Sequence, residues 1–279
     1  MRTLKFFIIL NMVSLSFFGC ISYPIYDYVY HDYGKMISLI TDWTERGDNI
    51  DIPKSYTVKI GDYVNILSGT KNSINNLIPA GKNIINIWNT TDNITVTDRL
   101  ATAGYAAGVP GWFFTGRKEV MIEIDGEHTI TVNMRQQVRQ LTFELEIADN
   151  DKFRFASVNG TLSGVAGTLN IDDETHGAPT TIALIFAENL TNGKWKSTVR
   201  LLGITGNKQT LTLVMHLAGD HPSSYTVTSD LSNRLASFNE DKKTPLTLIA
   251  RFDGTSIGED LIVTITDWEY GETSTGDAD

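Results

Sequence analysis

Leu141-Thr142-Phe143-Glu144-Leu145-Glu146-Ile147 sets an apolar residue at every odd position and Thr or Glu at every even one. A period of two belongs to a β-strand with one face on a core and the other in water. The same texture extends in both directions. Toward the C-terminus it recurs at 164–171, 181–186, 196–202, 210–217, 246–252 and 261–268. Toward the N-terminus it recurs at 36–43, 56–60, 63–67, 83–88, 94–96, 119–124 and 129–132. Pro79-Ala80-Gly81 signals a turn, and Asp125-Gly126 predicts a tight hairpin between the strands on either side of it. No long apolar stripe of helical period interrupts the series, and 232–238 makes a short turn at most. Closely spaced strands with turns between them predict an all-β chain built of sandwiches or barrels.

The length of 279 residues, 41% of them hydrophobic, suits one large domain or two ordinary ones, each with its own core. The polar stretch Asn133-Met134-Arg135-Gln136-Gln137-Val138 divides two strand sets of similar size. It is too short for a free linker, so the two halves are predicted to pack together. Ile40-Thr41-Asp42-Trp43 recurs as Ile265-Thr266-Asp267-Trp268, a weak echo of two related units. The formal charge is −10 and no long basic run is present, which argues against a nucleic-acid partner. The single cysteine, Cys20, excludes an intrachain disulfide and a multi-cysteine zinc site.

Residues 1–19 have the order of an export signal: Arg2 and Lys5, then a mostly apolar run from Phe6 to Phe18. As a helix those 13 residues span about 20 Å, short of the roughly 30 Å hydrocarbon core of a bilayer. Gly19 before Cys20 resembles a lipobox, with cleavage after Gly19 and a lipid on the Cys20 thiol, although Phe17 and Phe18 are bulkier than usual. The alternative is an ordinary cleavage site beside an incidental cysteine. Loss of 1–19 removes Arg2 and Lys5 and no acid, leaving 260 residues and a charge of −12. The following segment, 20–35, repeats tyrosine at 23, 26, 28, 30 and 33. It is either a lipidated tether or a first edge strand.

Catalytic signals are weak. Ser163 lacks the G-x-S-x-G spacing of an elbow nucleophile. His216, His221 and Asp220 are a thin basis for a metal or acid–base cluster, and His128 and His176 fall in predicted turns. Asp149-Asn150-Asp151 and Asp172-Asp173-Glu174 have oxygen ligands but not the twelve-residue calcium spacing. Sequons at Asn89, Asn93, Asn159 and Asn189 carry no weight beside a bacterial lipobox. The expectation is a non-enzyme with no metal and no cofactor. The stronger binding signal is Gly108-Val109-Pro110-Gly111-Trp112-Phe113-Phe114-Thr115-Gly116. Three adjacent aromatics cannot share one face of a strand, so Trp112, Phe113 and Phe114 are candidate contacts for a partner or a glycan, or else a plug at the end of the first core.

Taken in order, several motifs resemble the fimbrillin-type anchor and accessory lipoproteins of Bacteroides-like bacteria, the group around the minor-fimbrium anchor of type V pili. They are the lipobox at Cys20, Asp42-Trp43, Pro79-Ala80-Gly81 before Trp88-Asn89, Arg139-Gln140-Leu141-Thr142-Phe143, Gly160-Thr161-Leu162-Ser163-Gly164-Val165-Ala166 and Asp267-Trp268. The resemblance implies two tandem transthyretin-like β-sandwich domains, assigned here to 36–134 and 135–279. It also implies a non-catalytic anchoring, assembly or adhesion role with other fimbrial subunits as partners, at the outer membrane and cell surface, held by a lipid. Stalk subunits of that family are cut after an arginine that follows the first strand. Arg46 stands there in this chain and is a candidate for such processing, an uncut turn arginine being the ordinary alternative. A surface glycan-binding lipoprotein using aromatics around Trp112 is the alternative function.

Overall fold

The computed structural model describes residues 33–34, 36–124, 127–147, 155–189, 193–217, 224–257, 260–265 and 267–271. All regular structure among them is β, and 232–238 is a run of turns. The strand Met36–Glu45 shows why: Ile37, Leu39, Thr41 and Trp43 are buried while the residues between them are only partly so. Each buried aliphatic side chain contributes about 1.5–3 kcal/mol, so a register slip of one residue would reverse the whole set.

The first sheet runs in the order Tyr63–Leu67, Tyr56–Ile60, Gly81–Trp88, Phe114–Ile122, Glu127–Gln136, Met36–Glu45, Lys71–Ile74. All neighbours are antiparallel except Glu127–Gln136 with Met36–Glu45. It folds over its own core, which includes Ile37, Leu39, Val58, Ile85, Ile87 and Val132. The corner is visible in the pairing of Phe114–Ile122 with Glu127–Gln136, which is confined to Phe114 with Gln136 and Thr115 with Arg135. The tight hairpin predicted at Asp125-Gly126 is therefore corrected. Those two residues lie outside the described ones, and the strands beside them pair with Gly81–Trp88 and Met36–Glu45 instead. Packing enforces this. A Cβ at Gly116 would stand 2.7 Å from Met134 Sδ and 2.8 Å from Val132 Cγ1, so the two strands face one another across the core.

The second sheet runs Ser224–Asp230, Thr210–Leu217, Phe155–Asn170, His176–Asn189, Lys194–Leu201, Arg139–Ile147, Leu246–Ile257, Asp260–Ile265. The only parallel pair in this order is Arg139–Ile147 with Leu246–Ile257. His176–Asn189 makes the corner: up to Phe186 it pairs with Phe155–Asn170, and from Ala187 to Asn189 it pairs with Lys194–Leu201. Strands that change layers in this way close a β-sandwich. Leu141, Phe143 and Leu248 from one layer meet Leu162, Leu184 and Leu213 from the other.

The repeated Asp-Trp has a shared packing role. Trp43 sits edge-on to Phe114 at 5.5 Å, and Trp268 sits edge-on to Phe143 at 5.4 Å. Each tryptophan closes a core against a buried phenylalanine.

One segment crosses between the strand sets. The hairpin of Ile94–Thr97 and Leu100–Ala103, placed by sequence order in the first half, pairs with the second sheet: Thr102 with Thr168, Ala101 with Leu169, Leu100 with Asn170. Its Ile94 and Ala101 join Phe113, Val138, Leu169, Ile171 and Leu202 in a third apolar cluster. That burial outweighs sequence proximity and ties the two strand sets together.

Candidate functional site

Gly19 and Cys20, the cleavage and lipidation candidates, lie outside the described residues, as do Asp149-Asn150-Asp151, Asp220 and His221. The other candidates can be placed.

The aromatic loop points inward. Asn89 holds its backbone: Nδ2 donates to the Trp112 carbonyl at 2.9 Å, and Oδ1 accepts from the Phe114 amide at 2.7 Å. Phe114 enters the first core and Phe113 the third cluster, both fully buried. Trp112 is half-buried, with the Arg200 guanidinium 5.2 Å from its ring centroid. The expectation of an exposed aromatic contact surface is thus corrected. The three side chains diverge, as adjacent residues must: Phe114 joins the first core, Phe113 the third cluster, and Trp112 packs against both.

Arg46 is a structural side chain. Its Nε donates to the Ile50 carbonyl at 2.9 Å and its Nη1 to the Trp43 carbonyl at 3.2 Å, closing the turn after the first strand. The next residue, Gly47, is buried, and its amide donates to Gln136 Oε1 at 2.8 Å. A protease would have to open this turn before reaching the Arg46–Gly47 bond.

The polar stretch at the boundary is held by a dense set of hydrogen bonds. Gln136 Nε2 donates to the carbonyls of Val138 (2.8 Å) and Lys242 (2.6 Å). Gln137 Nε2 donates to Thr115 Oγ1 at 2.7 Å and Glu174 Oε1 at 3.2 Å, and its Oε1 accepts from Lys242 Nζ. Arg139 is buried. It donates to the carbonyls of Thr244 (2.7 Å) and Phe238 (2.9 Å) and lies 5.1 Å from the Phe238 ring centroid. Beside these groups is a cleft of about 330 Å³ lined by charged side chains including Arg135, Glu174, Asp241 and Lys242. Burial pushes the Lys242 ammonium down to about 8, with Arg135 acting in the same direction and Glu174 against it. The amides that face the cleft already have partners, so it serves as a seam.

The remaining candidates have structural duties. Ser163 Oγ accepts from the Thr210 amide at 3.0 Å. Asp172 pairs with Arg99 at 2.8 Å, Asp173 accepts from the amide and hydroxyl of Thr175, and Glu174 pairs with Arg135 at 3.2 Å. His128 Nε2 accepts from the Glu123 amide at 3.1 Å. Tyr105, which the sequence did not single out, is pushed up to about 12 by burial, donates to the Ala166 carbonyl and accepts from the Leu202 amide.

His176 carries a prediction. Its Nε2 stands 3.2 Å from the Leu202 carbonyl, and the ring fits only because residue 203 is glycine: a Cβ there would lie 2.2 Å from the ring. Burial, helped by Lys242, holds its pKa down to about 4. The native ring stays neutral where the unfolded one takes a proton, so stability falls as pH drops from about 6.5 toward 4. Allowing for the ring's partial solvent contact, the loss at pH 5 from this group should be about 1 kcal/mol. Urea unfolding at pH 7 and pH 5 checks it. The difference should shrink in His176→Gln; an unchanged difference would contradict the assignment.

What sequence reasoning missed is an open sheet edge. Tyr63–Leu67 ends the first sheet, with Tyr56–Ile60 on one side and no described strand on the other. Val64 and Ile66 on its outer face are 57% and 68% exposed. No Lys, Arg or Pro stands within this strand, the devices by which an edge is usually protected.

Residues 17–273 match a family model described as fimbrillin-A associated anchor proteins Mfa1 and Mfa2. No curated protein sequence matches. Among solved structures, the fimbrial anchor protein Mfa2 from Porphyromonas gingivalis superposes with a TM-score of 0.55 at 12% identity, covering 84% of this chain and 97% of that one. A candidate adhesin from Bacteroides ovatus gives 0.57 at 14% identity, covering 73% of this chain and 84% of that one. A candidate polysaccharide-binding protein from Bacteroides thetaiotaomicron gives 0.58 at 12% identity, covering 83% and 97%. At such identities these likenesses establish the fold alone.

Proposed function

The chain belongs to the family of fimbrillin-A associated anchor proteins Mfa1 and Mfa2, and from that premise we propose that it is a non-catalytic, lipid-anchored subunit of a surface fimbrium. Export by residues 1–19, cleavage after Gly19 and acylation of Cys20 place the body outside the cell at the outer membrane. Several acyl chains, at roughly 0.8 kcal/mol per buried CH2, hold a protein firmly without a membrane-spanning helix. On this reading residues 36–134 and 135–279 are two sandwich domains, and the seam at Gln136, Gln137 and Arg139 makes them move as one body. The partner contact falls on Tyr63–Leu67. Val64 and Ile66 are exposed beside an edge with no described strand partner, and the Ile66 amide, held by Asn65 Oδ1 at 2.8 Å, would exchange that bond for one to a strand added from a neighbouring subunit. That open edge is the observation that carries the reading.

Cys20→Ala in the native bacterium tests it. The variant should take up no labelled palmitate and leave the membrane fraction, and fimbriae should appear in the medium. Palmitate labelling at the wild-type level would refute anchoring at Cys20. Normal retention of fimbriae on cells carrying the unlabelled variant would refute the anchoring role.

A further inference from the structure

The two outer surfaces of the second sheet differ in kind. The outer side of Arg139–Ile147 and Lys194–Leu201 carries charge: Lys194 pairs with Glu146 at 2.7 Å, and Lys196 and Lys194 both approach Glu144. The outer side of the other layer has three consecutive rows with no Lys, Arg, Asp or Glu. The register sets Ala183, Thr161, Thr212 and Thr228 in one row and Ile185, Asn159, Val214 and Thr226 in the next. Ser157, His216 and Ser224 extend it by a third row, and Asp230, paired with Thr210, marks one end. The alternate residues, such as Leu162, Leu184 and Leu213, fill the core, so these side chains point outward. Thr161, Thr228, Asn159 and Thr226 are exposed, and Ile185 is 78% exposed.

In a chain of net charge −10, three consecutive rows without a Lys, Arg, Asp or Glu form a neutral window. Its chemistry narrows the partner. Phosphate-bearing partners need clustered cations, and none stand here. Protein interfaces draw their energy from Trp, Tyr and Arg, whereas Ser, Thr and Val are under-represented among their strong contacts. Threonine offers a hydroxyl that both donates and accepts, with a methyl group beside it. Adjacent strands repeat this about every 4.8 Å. The rows run across four neighbouring strands, a span of about 14 Å at that spacing, which suits several consecutive units of a chain.

We propose that this threonine face binds a neutral polysaccharide, whose hydroxyls exchange hydrogen bonds with the rows at Thr161, Thr212 and Thr228 and whose C–H surfaces rest on the methyl groups and on Ile185. The site is remote in sequence from both Tyr63–Leu67 and the Trp112 loop and does not depend on the fimbrial role. Contacts at one copy are modest, and many copies on one cell multiply them.

Affinity electrophoresis of the full chain tests it, in native gels containing dextran, mannan or xylan, with heparin and polygalacturonate as anionic comparators. The proposal expects retardation by at least one neutral polymer, no retardation by the anionic ones, and a loss of affinity of about tenfold or more in the Thr161→Glu, Thr212→Glu double variant. Thr228→Glu alone, on the outermost strand, should weaken retardation in the same gels and covers the case in which the double variant fails to fold. Thr198→Glu, on the charged layer, should leave it unchanged. Absence of retardation by all three neutral polymers would overturn the proposal. So would retardation that survives Thr228→Glu and the double variant, or that is lost in Trp112→Ala instead.

Discussion

Phe114→Ala is expected to destabilise the protein by about 3–5 kcal/mol, the range for removing a buried aromatic from a packed core. The ring is fully buried and contacts Trp43 edge-on, and Trp43 contacts Tyr56 in turn at 6.0 Å. Three aromatics from separate strands thus share one corner of the first core, and neither remaining ring can move in without leaving its own strand. The backbone adds to the constraint, because the Phe114 amide donates to Asn89 and its partner across the corner is Gln136. The cavity should therefore collapse little. At roughly 2–4 °C per kcal/mol for a chain of this size, the melting temperature should fall by about 10 °C. Phe114→Leu should cost well under half as much. Denaturant midpoints for both variants check this. Equal and small losses would mean that Phe114 lies at the surface, as the aromatic-contact expectation held.

That expectation shows where the sequence was legible. Alternation at 36–43, 141–147 and 210–217 identifies strands because one face is buried and the other wet, and the structure has strands there. Three adjacent aromatics are ambiguous by nature, since a loop can turn each toward a different core. Their direction is set by Asn89, twenty-three residues before Trp112 in the chain. Polar or short strands escaped for a related reason. Lys71–Ile74 and Ser224–Asp230 hold few apolar side chains and are defined by their ladder partners. The excursion of Ile94–Ala103 to the second sheet is a choice between two apolar surfaces, which no local pattern records. Gln136 and Gln137 lie in the polar stretch read as a boundary between packed halves, and Arg139 follows it; the sequence does not show that these side chains are buried. They are buried because each finds partners: Gln136 and Arg139 donate to the carbonyls of Lys242 and Phe238, and Gln137 bonds Thr115, Glu174 and the Lys242 ammonium.

The second large effect concerns function. Ile66→Lys should abolish partner pairing while leaving the fold intact. Ile66 is 68% exposed, and surface substitutions of this kind usually change stability by less than about 0.5 kcal/mol. A lysine on an edge strand has the opposite effect on association, because an incoming strand would have to desolvate its charge. The backbone of Tyr63–Leu67, with the Ile66 amide on Asn65 Oδ1, would be unchanged, so the loss would come from the side chain alone. The predicted phenotype is a stable, surface-displayed protein that no longer incorporates into fimbriae, with affinity for the neighbouring subunit down at least a hundredfold, or about 2.7 kcal/mol. Val64→Lys, two residues away on the same face, should behave likewise.

The most direct test of the fimbrial reading is a photo-crosslinking amino acid placed at position 66 of the full chain in its native bacterium. The account predicts a discrete covalent adduct with a fimbrial subunit, identified by mass spectrometry, and no such adduct when the same group is placed at Thr198. Adducts equally frequent from both positions, or none from position 66 on cells with intact fimbriae, would contradict it.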